Sequence, residues 1–392
     1  MGSKKVIVCG GDGFCGWPTA LRLSNEGNEV LIIDNFLRRK IDDELGTMSV
    51  TPIFNLTQRI KAWKEVTGNI ILNEEIDIST DYERLLKIVN NFKPDAIIHF
   101  AEQRAAPYSM KSSFHKRLTV NNNINGTNNI LSAIVDSEQD IHLIHLGTMG
   151  VYGYGSINNK IPEGYLNVRI QDREGEFTIN KEILYPSDPG SIYHMTKAQD
   201  QISFYYYNKN DSIRITDLHQ GVVWGIQTNE TQRDERLINR FDYDGDFGTV
   251  INRFALQAAL KYPLTVYGTG GQTRAFININ NTVDCICLAL KNPPSTNDKV
   301  KIFNQMTECF KVKELAELIS NKTGTGIDYL ENPREEMEDN ELEVENEGLL
   351  DLGLKKYSLN NTLINEISLI SEKYLNRIDK SKIPCNSFWR KK

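Results

Sequence analysis

Short β-branched apolar runs alternate with amphipathic stretches through the first half of the chain. KVIVCG, Lys5 to Gly10, ends in glycine and is followed by PTALRLSNEG, where Pro18 suits a first helical turn and Gly27 a position past the last. EVLIIDN, Glu29 to Asn35, reads as a second buried strand, so the three segments predict a β-α-β unit. The alternation continues with a strand ending at Asp77 and Ile78, then KPDAIIHFAEQ and IHLIHLGTMGVYG, preceded by helical patterns such as DYERLLKIVNNF and NINGTNNILSAIV. Repeated βα units predict an α/β fold built on a doubly wound parallel sheet of the Rossmann type. In such a sheet the strand C-termini gather around one site, which places Asp77, Ile78, Ala101 to Arg104 and Gly147 to Gly150 there.

Gly10, Gly13 and Gly16 lie three apart at the first strand-to-helix turn, with Asp12, Phe14 and Cys15 between them. Glycine there permits a tight turn and brings a helix N-terminus up to a pyrophosphate, so this turn is the expected dinucleotide cradle. Asp34 closes the second strand 18 residues past Gly16, beside Asn35. A carboxylate at that point accepts from both ribose hydroxyls and repels a 2′-phosphate, which favours NAD over NADP. Arg38 and Arg39 are either contacts to the adenosine end or surface charges. The domain expectation is a nucleotide-binding unit over 1–225 and a smaller mixed α/β substrate-binding unit over 226–392, mainly 226–274 and 306–392, with 275–305 returning to the first.

With 40% hydrophobic and 25% charged residues in 392, the chain has the composition of a folded protein. No apolar run reaches membrane-spanning length, and a strand and turn stand where a secretory signal would, so membrane insertion is not expected and a cytoplasmic location is. A net charge of −7 argues against nucleic acid as the main partner. The cysteines, at 9, 15, 285, 287, 309 and 385, form no CxxC pair and no His cluster has metal spacing; free thiols and no metal are expected. Cys285 and Cys287, on the helical pattern TVDCICLAL, read as core residues. The acidic run EEMEDNELEVENE reads as a solvated face.

Tyr193 and Lys197 stand four apart in YHMTK, one helical turn, and so share a face. An ammonium beside a phenol lowers its pKa and makes the tyrosinate a general base, while the same lysine reaches the nicotinamide ribose. Thr148, at a strand end, offers a hydroxyl to share the substrate's proton. This joint pattern is that of the extended short-chain dehydrogenase/reductase family. NRFALQAALKYPLTVYGTGGQTRAFININNTVD resembles that family's nucleotide-sugar segment, with Arg274 at its diphosphate-contacting arginine. Where the family's 4,6-dehydratases follow the threonine with an acid pair, this chain has Met149-Gly150, neither of which transfers protons. Where relatives carry small residues, HFAEQRAAPYSM places Glu102, Gln103 and Arg104, either chemistry beside the nicotinamide or a buried ion pair.

Those departures, with GGDGFCGW, DNFLRRKIDDELG, LGTMGVYG, HQGVVWG, NRFDYD, FGTVINRF, YGTGGQTR and the later FNQ and NPR, closely resemble the UDP-sulfoquinovose synthase family. The resemblance implies conversion of UDP-glucose and sulfite to UDP-sulfoquinovose with tightly held NAD, and a homodimer. It implies Thr148, Tyr193 and Lys197 as the catalytic trio, His194 as an added acid/base, Asn122 near the nicotinamide, and Arg104, Gln220, Asn252 and Arg253 on substrate. Glu102 joins His194 as a candidate C5 base, on the expectation that burial raises its pKa. The insertion Gly225 to Gly248 is either a cover over the sugar or a solvated loop. Alternatives are a nucleotide-sugar 4-epimerase, a plain 4,6-dehydratase, or a non-catalytic NAD-sensing scaffold. The residues do not identify a partner that delivers sulfite, nor the destination of the product.

Overall fold

The computed structural model describes residues 2–153, 160–173, 175, 177–332 and 339–384. Cys385, the Pro333-Arg334 part of NPR and positions 335–338 of the acidic run lie outside them. The first β-α-β unit is β1 Lys5–Cys9, α1 Gly16–Asn25 and β2 Glu29–Asp34, as the apolar pattern predicts. Next come α2 Leu37–Leu45, α3 Leu56–Thr67, β3 Ile71–Glu75, α4 Tyr82–Phe92 and β4 Ala96–His99. α5 Ala106–Met110, α6 Ser113–Asp136 and β5 His142–Thr148 complete the first half. A protruding hairpin, β6 Tyr165–Gln171 with β7 Thr178–Leu184, then leads into α7 Ile192–Asp211 and β8 Arg214–Gln220.

A later strand, Lys301–Gln305, pairs in parallel with β8 and closes a seven-stranded sheet. Counting β9 Val222–Trp224, β10 Leu264–Tyr267 and β11 Gly271–Asn278 before it, this strand is β12, and the sheet order is β12-β8-β5-β4-β1-β2-β3. Every pairing in it is parallel. β1 shows why the strands read as unbroken apolar runs: Val6 and Val8 enter one core with Trp17 and Trp63, while Ile7 and Cys9 enter another with Val89 and Phe204. Strand order reverses between β1 and β4, and a crevice opens there at the strand C-termini.

The remaining elements form a smaller layer. α8 Val250–Ala259, β11, β13 Glu308–Lys311, α10 Val312–Thr323 and, beyond β14 Ile327–Leu330, β15 Asp339–Asn340 and α11 Glu347–Asp351, α12 Leu359–Lys373 surround a core of Trp224, Phe241, Phe254 and Phe276. α9 Ile279–Lys291 returns to the main sheet, with Cys285 and Cys287 buried in the core beside α1. Cys9, Cys15, Cys285, Cys287 and Cys309 are free thiols. No described helix is long and apolar enough to cross a membrane.

Two expectations change. The insertion after Gly225 is not a solvated loop: Leu237 to Tyr243 are buried, and Asp242 there receives Arg38 (3.1 Å), Arg104 (2.6 Å) and Arg240 (2.9 Å). Although burial opposes it, these guanidiniums, Arg38 foremost, hold the Asp242 carboxyl well below the usual range. The acidic run is likewise not all solvated, since Asp339–Asn340 pairs with β11 and the Asn340 side chain accepts the Thr273 N–H at 2.7 Å.

Candidate active site

The turn between β1 and α1 carries the glycine spacing, and one glycine shows why. A Cβ on Gly16 would stand 2.1 Å from the Gly10 carbonyl oxygen, so no other residue lets α1 begin this close to β1. The first N–H groups of α1 consequently face the crevice, where they favour a pyrophosphate. Asp34, at the end of β2, accepts the Asp12 and Phe36 N–H groups at 2.9 and 2.8 Å and keeps lone pairs for ribose hydroxyls. A glycine cradle followed by this carboxylate fits NAD.

Burial, with the Asp12 charge beside it, pushes Asp34 up to about 6. The ionised form is the acceptor for both hydroxyls, so NAD retention is expected to fall as pH drops through about 6. Cofactor released by heat after equilibration at stepped pH gives the measure. It is expected to be NAD, and retention flat from pH 7 to about pH 5 would remove Asp34 from the ribose contact.

Asp12, Arg38 and Arg39 line the crevice, but their charges are already engaged. The Asp12 carboxylate takes Arg39 at 2.5 Å and the wholly buried Arg59 at 2.8 Å, and the Arg59 guanidinium lies 4.0 Å over the Trp17 ring. Arg38 pairs with Asp42 at 2.6 Å and stacks 3.7 Å over Phe247, joining α2 to the 240s segment while it lines the crevice. Asp77 is a correction. β3 ends at Glu75, and Asp77 accepts the Ser79 N–H and hydroxyl in the turn beyond, leaving Ile76 and Ile78 to line the crevice.

Across the crevice, β5 delivers Thr148 and α7 delivers Tyr193, His194 and Lys197. Thr148 faces the Tyr193 hydroxyl and favours its ionised form. Burial raises the Tyr193 pKa and Lys197 pulls against it; the net direction is upward, the reverse of the expected lowering. Lys197 Nζ donates to the Leu146 carbonyl at 2.6 Å and pairs with Glu102 at 2.8 Å. Glu102 is therefore not a weak acid awaiting a C5 proton. Burial opposes ionisation, but Lys197 and then His145 lower its pKa to about 2. Nor does it pair with Arg104, whose partner is Asp242.

The Met149-Gly150 pair acquires a physical reason. Thr148 Oγ1 accepts the Gly150 N–H at 3.1 Å, opening a short 3-10 turn, Met149–Tyr152. A Cβ on Gly150 would lie 2.4 Å from His194 Nε2, so the imidazole occupies the space a side chain at 150 would need. His194 is buried yet lines the crevice, its ring 5.3 Å from that of Tyr193.

These groups share one cavity of about 430 Å³, which also receives Gly10, Gly13, Phe14, Cys15, Asn35, Ala101, Arg104, Asn122, Gln220, Arg253 and Arg274. Cys15 is pushed up to about 12 by burial and is a thiol at neutral pH. Asn122 reaches the Ala101 carbonyl at 3.5 Å, and Gln220 donates to Thr282 at 3.1 Å. Arg253 stacks 5.0 Å over Tyr267, and Arg274 donates to the Thr273 carbonyl at 3.0 Å. Asn252 does not line the cavity; it sits buried in the first turn of α8, its N–H on the Thr249 hydroxyl. Tyr267, Gln272, Asn332, Asn340 and Leu342 also line the cavity; Tyr267 and Gln272 fall inside YGTGGQTR, Asn332 opens NPR, and Asn340 and Leu342 belong to the acidic run.

Residues 6–304 match the NAD dependent epimerase/dehydratase family. Among solved structures, UDP-glucose 4-epimerase of Thermotoga maritima superposes with a TM-score of 0.70 at 18% identity, covering 94% of this chain and 99% of that one; the likeness is one of fold. The chloroplastic UDP-sulfoquinovose synthase of Spinacia oleracea is 41% identical over 395 residues, spanning all of this chain and 80% of the relative. The UDP-sulfoquinovose synthase of Sulfolobus acidocaldarius is 38% identical over 355 residues, 89% of this chain and 88% of the relative. The chain belongs to the UDP-sulfoquinovose synthase family. In this UDP-sulfoquinovose synthase family member, Gly10, Gly13, Gly16 and Asp34 line the same crevice as Thr148, Tyr193, His194, Lys197, Arg253 and Arg274.

Proposed function

We propose that this protein makes UDP-sulfoquinovose from UDP-glucose and sulfite. The observation that carries the reading is His194 seated over Gly150, beside Tyr193 and Thr148. A C4-oxidising centre needs only the tyrosine, threonine and lysine; a second proton carrier in the slot of the missing acid pair suits a reaction that also works at C5 and C6. NAD, when bound, supplies the hydride acceptor at C4 and the donor at the end. Tyr193 takes the 4-hydroxyl proton, with Thr148 sharing it and Lys197 stabilising the phenolate. The 4-ketone acidifies C5–H; His194 removes that proton and delivers it to the departing 6-hydroxyl, which leaves as water. Sulfite, entering as bisulfite, uses its sulfur lone pair to form the C6–S bond, C5 regains a proton, and Tyr193 returns its proton to O4. Sugar and bisulfite are consumed, water is released, and the cofactor ends as it began.

Arg104, tethered by Asp242 and lining the cavity, offers a cation to an anionic reactant, and Gln220 and Arg253 hold the sugar nucleotide. Free buried thiols suit a reducing compartment such as the cytoplasm. A homodimer fits the exposed row Ile202, Tyr205 and Tyr206, one face of α7 beside α6.

Mass spectrometry of UDP-glucose incubated with sulfite tests the reading. A UDP-sugar carrying a sulfonate is expected; UDP-galactose formed without sulfite would make the protein an epimerase. Arg274→Ala is expected to raise KM for UDP-glucose by about tenfold or more with kcat changed far less, because a diphosphate grip acts alike on ground and transition states. An unchanged KM would take Arg274 out of the site.

A further inference from the structure

Around Lys197 lies a buried ionic cluster drawn from two strands, the turn after a third, and a helix. Glu102 follows β4, His145 lies on β5, Lys197 and Asp200 on α7, and Asp217 and His219 on β8. His145 has a carboxylate oxygen at each ring nitrogen: Asp217 Oδ1 at 2.8 Å from Nδ1, and Glu102 Oε1 at 2.9 Å from Nε2. A carboxylate at each nitrogen favours the imidazolium form of the ring. Its pKa agrees in direction: burial and Lys197 oppose, Asp217 and Glu102 outweigh them, and it rises to about 9. Lys197 Nζ stands only 3.0 Å from the same Nε2. Two like charges remain that close because Glu102 Oε1 accepts from both, the lysine at 2.8 Å.

The charges balance. Lys197 and His145 face Glu102 and Asp217, while burial and the Glu102 charge push Asp200 up, toward its neutral form. His99, 3.5 Å from Glu102, is lowered to about 3 by burial and stays neutral. His219 bonds the second oxygen of Asp217 at 2.9 Å and reaches Tyr152 beyond; Tyr193, and Arg104 at longer range, face the cluster from the cavity. Glu102, His145 and Asp200 place their ligand atoms within 4.8 Å of one another, the spacing of a metal site, but the Lys197 ammonium sits against two of them as the resident cation. Lys197 Nζ is thus held by the Leu146 carbonyl at 2.6 Å and the Glu102 carboxylate at 2.8 Å. Tyr193 faces the same ammonium from the cavity.

We propose that Glu102, backed by His145 and Asp217, is a positioning residue that keeps Lys197 charged and holds its ammonium in place for Tyr193 and the cofactor ribose. The role rests on the C4-oxidation reading above. It also explains why a carboxylate stands in HFAEQRAA, in a place buried enough that its second oxygen has no hydrogen-bond partner among the described residues.

Glu102→Gln keeps the shape and removes the charge. Burial and the adjacent imidazolium then both act against the Lys197 ammonium, so it loses its proton as pH rises and ceases to stabilise the tyrosinate. The readout is solvent deuterium exchange at C5 of UDP-glucose without sulfite, on holoenzyme from about pH 6 to about pH 10. Wild type and Glu102→Asp, which retains the charge, are expected to hold a plateau at high pH. Glu102→Gln is expected to fall about tenfold per pH unit above the lowered lysine midpoint. A Glu102→Gln profile parallel to wild type, at whatever absolute rate, would reduce the residue to a structural part. Should the glutamine variant yield no folded holoenzyme, Glu102→Asp decides, since a falling limb in a variant that keeps the charge overturns the role. Wild type that exchanges no C5 deuterium overturns the C4-oxidation reading itself, which separates the two failures.

Discussion

Tyr193→Phe is expected to lower C4 oxidation by about three orders of magnitude while leaving the affinity for UDP-glucose within about threefold of wild type. The substitution removes one oxygen. The ring, set 5.3 Å from His194, keeps its packing, and Lys197 keeps its hold on Glu102 and the Leu146 carbonyl. What is lost is the acceptor for the 4-hydroxyl proton. Because burial raises the Tyr193 pKa against the pull of Lys197, the active phenolate grows as pH rises, and the wild-type rate is expected to climb with pH before levelling. Reduced-nicotinamide absorbance after mixing with UDP-glucose, and calorimetric titration of the sugar nucleotide, read the two halves separately. Oxidation within tenfold of wild type would show that another base, with Thr148 nearest, does this work.

Much of this was legible because it is local. The glycine turn and Asp34 lie within one β-α-β unit, and the Tyr193–Lys197 spacing is a single helical turn, so chain order already encodes their geometry. The ionic cluster around Lys197 was not legible. His145 and Asp217 sit inside strands whose apolar pattern says only that they are buried, and their partners come from elements 43 to 72 residues away. A polar residue interrupting a buried strand, as in HLIHLGT and RITDLHQ, was the available signal. Charge content misled in the opposite way. RLINRFDYDGD looks solvated when counted, yet Asp242 neutralises arginines reaching it from three separate segments, and that pairing permits the burial. Arg38 follows β2 closely in sequence, but its acids lie partly in that same distant segment.

His194→Ala is expected to separate the two halves of the chemistry, with C4 oxidation retained and C5 exchange reduced about a hundredfold or more. The argument begins at Gly150. The absence of acids after Thr148 leaves two proton transfers without a carrier, and the same absence of a side chain admits the imidazole, since a Cβ there would lie 2.4 Å from His194 Nε2. Glu102 cannot substitute, because Lys197 and His145 hold it ionised with its pKa near 2, and its Oε1 is engaged by both. Tyr193 is committed to the O4 proton. A histidine beside it has the two-way proton affinity that removal at C5 and delivery to the 6-hydroxyl require. The measurement pairs reduced-nicotinamide absorbance with deuterium uptake at C5 in the same single-turnover sample, without sulfite. Uptake in His194→Ala at the wild-type rate would assign the C5 proton to Tyr193 acting twice or to bound water. Loss of both signals together would place His194 in support of the tyrosine instead. Gly150→Ala supplies the complementary case: it leaves Thr148 and Tyr193 in place and drives the imidazole off its seat, so it is expected to reproduce the His194→Ala pattern, oxidation without exchange.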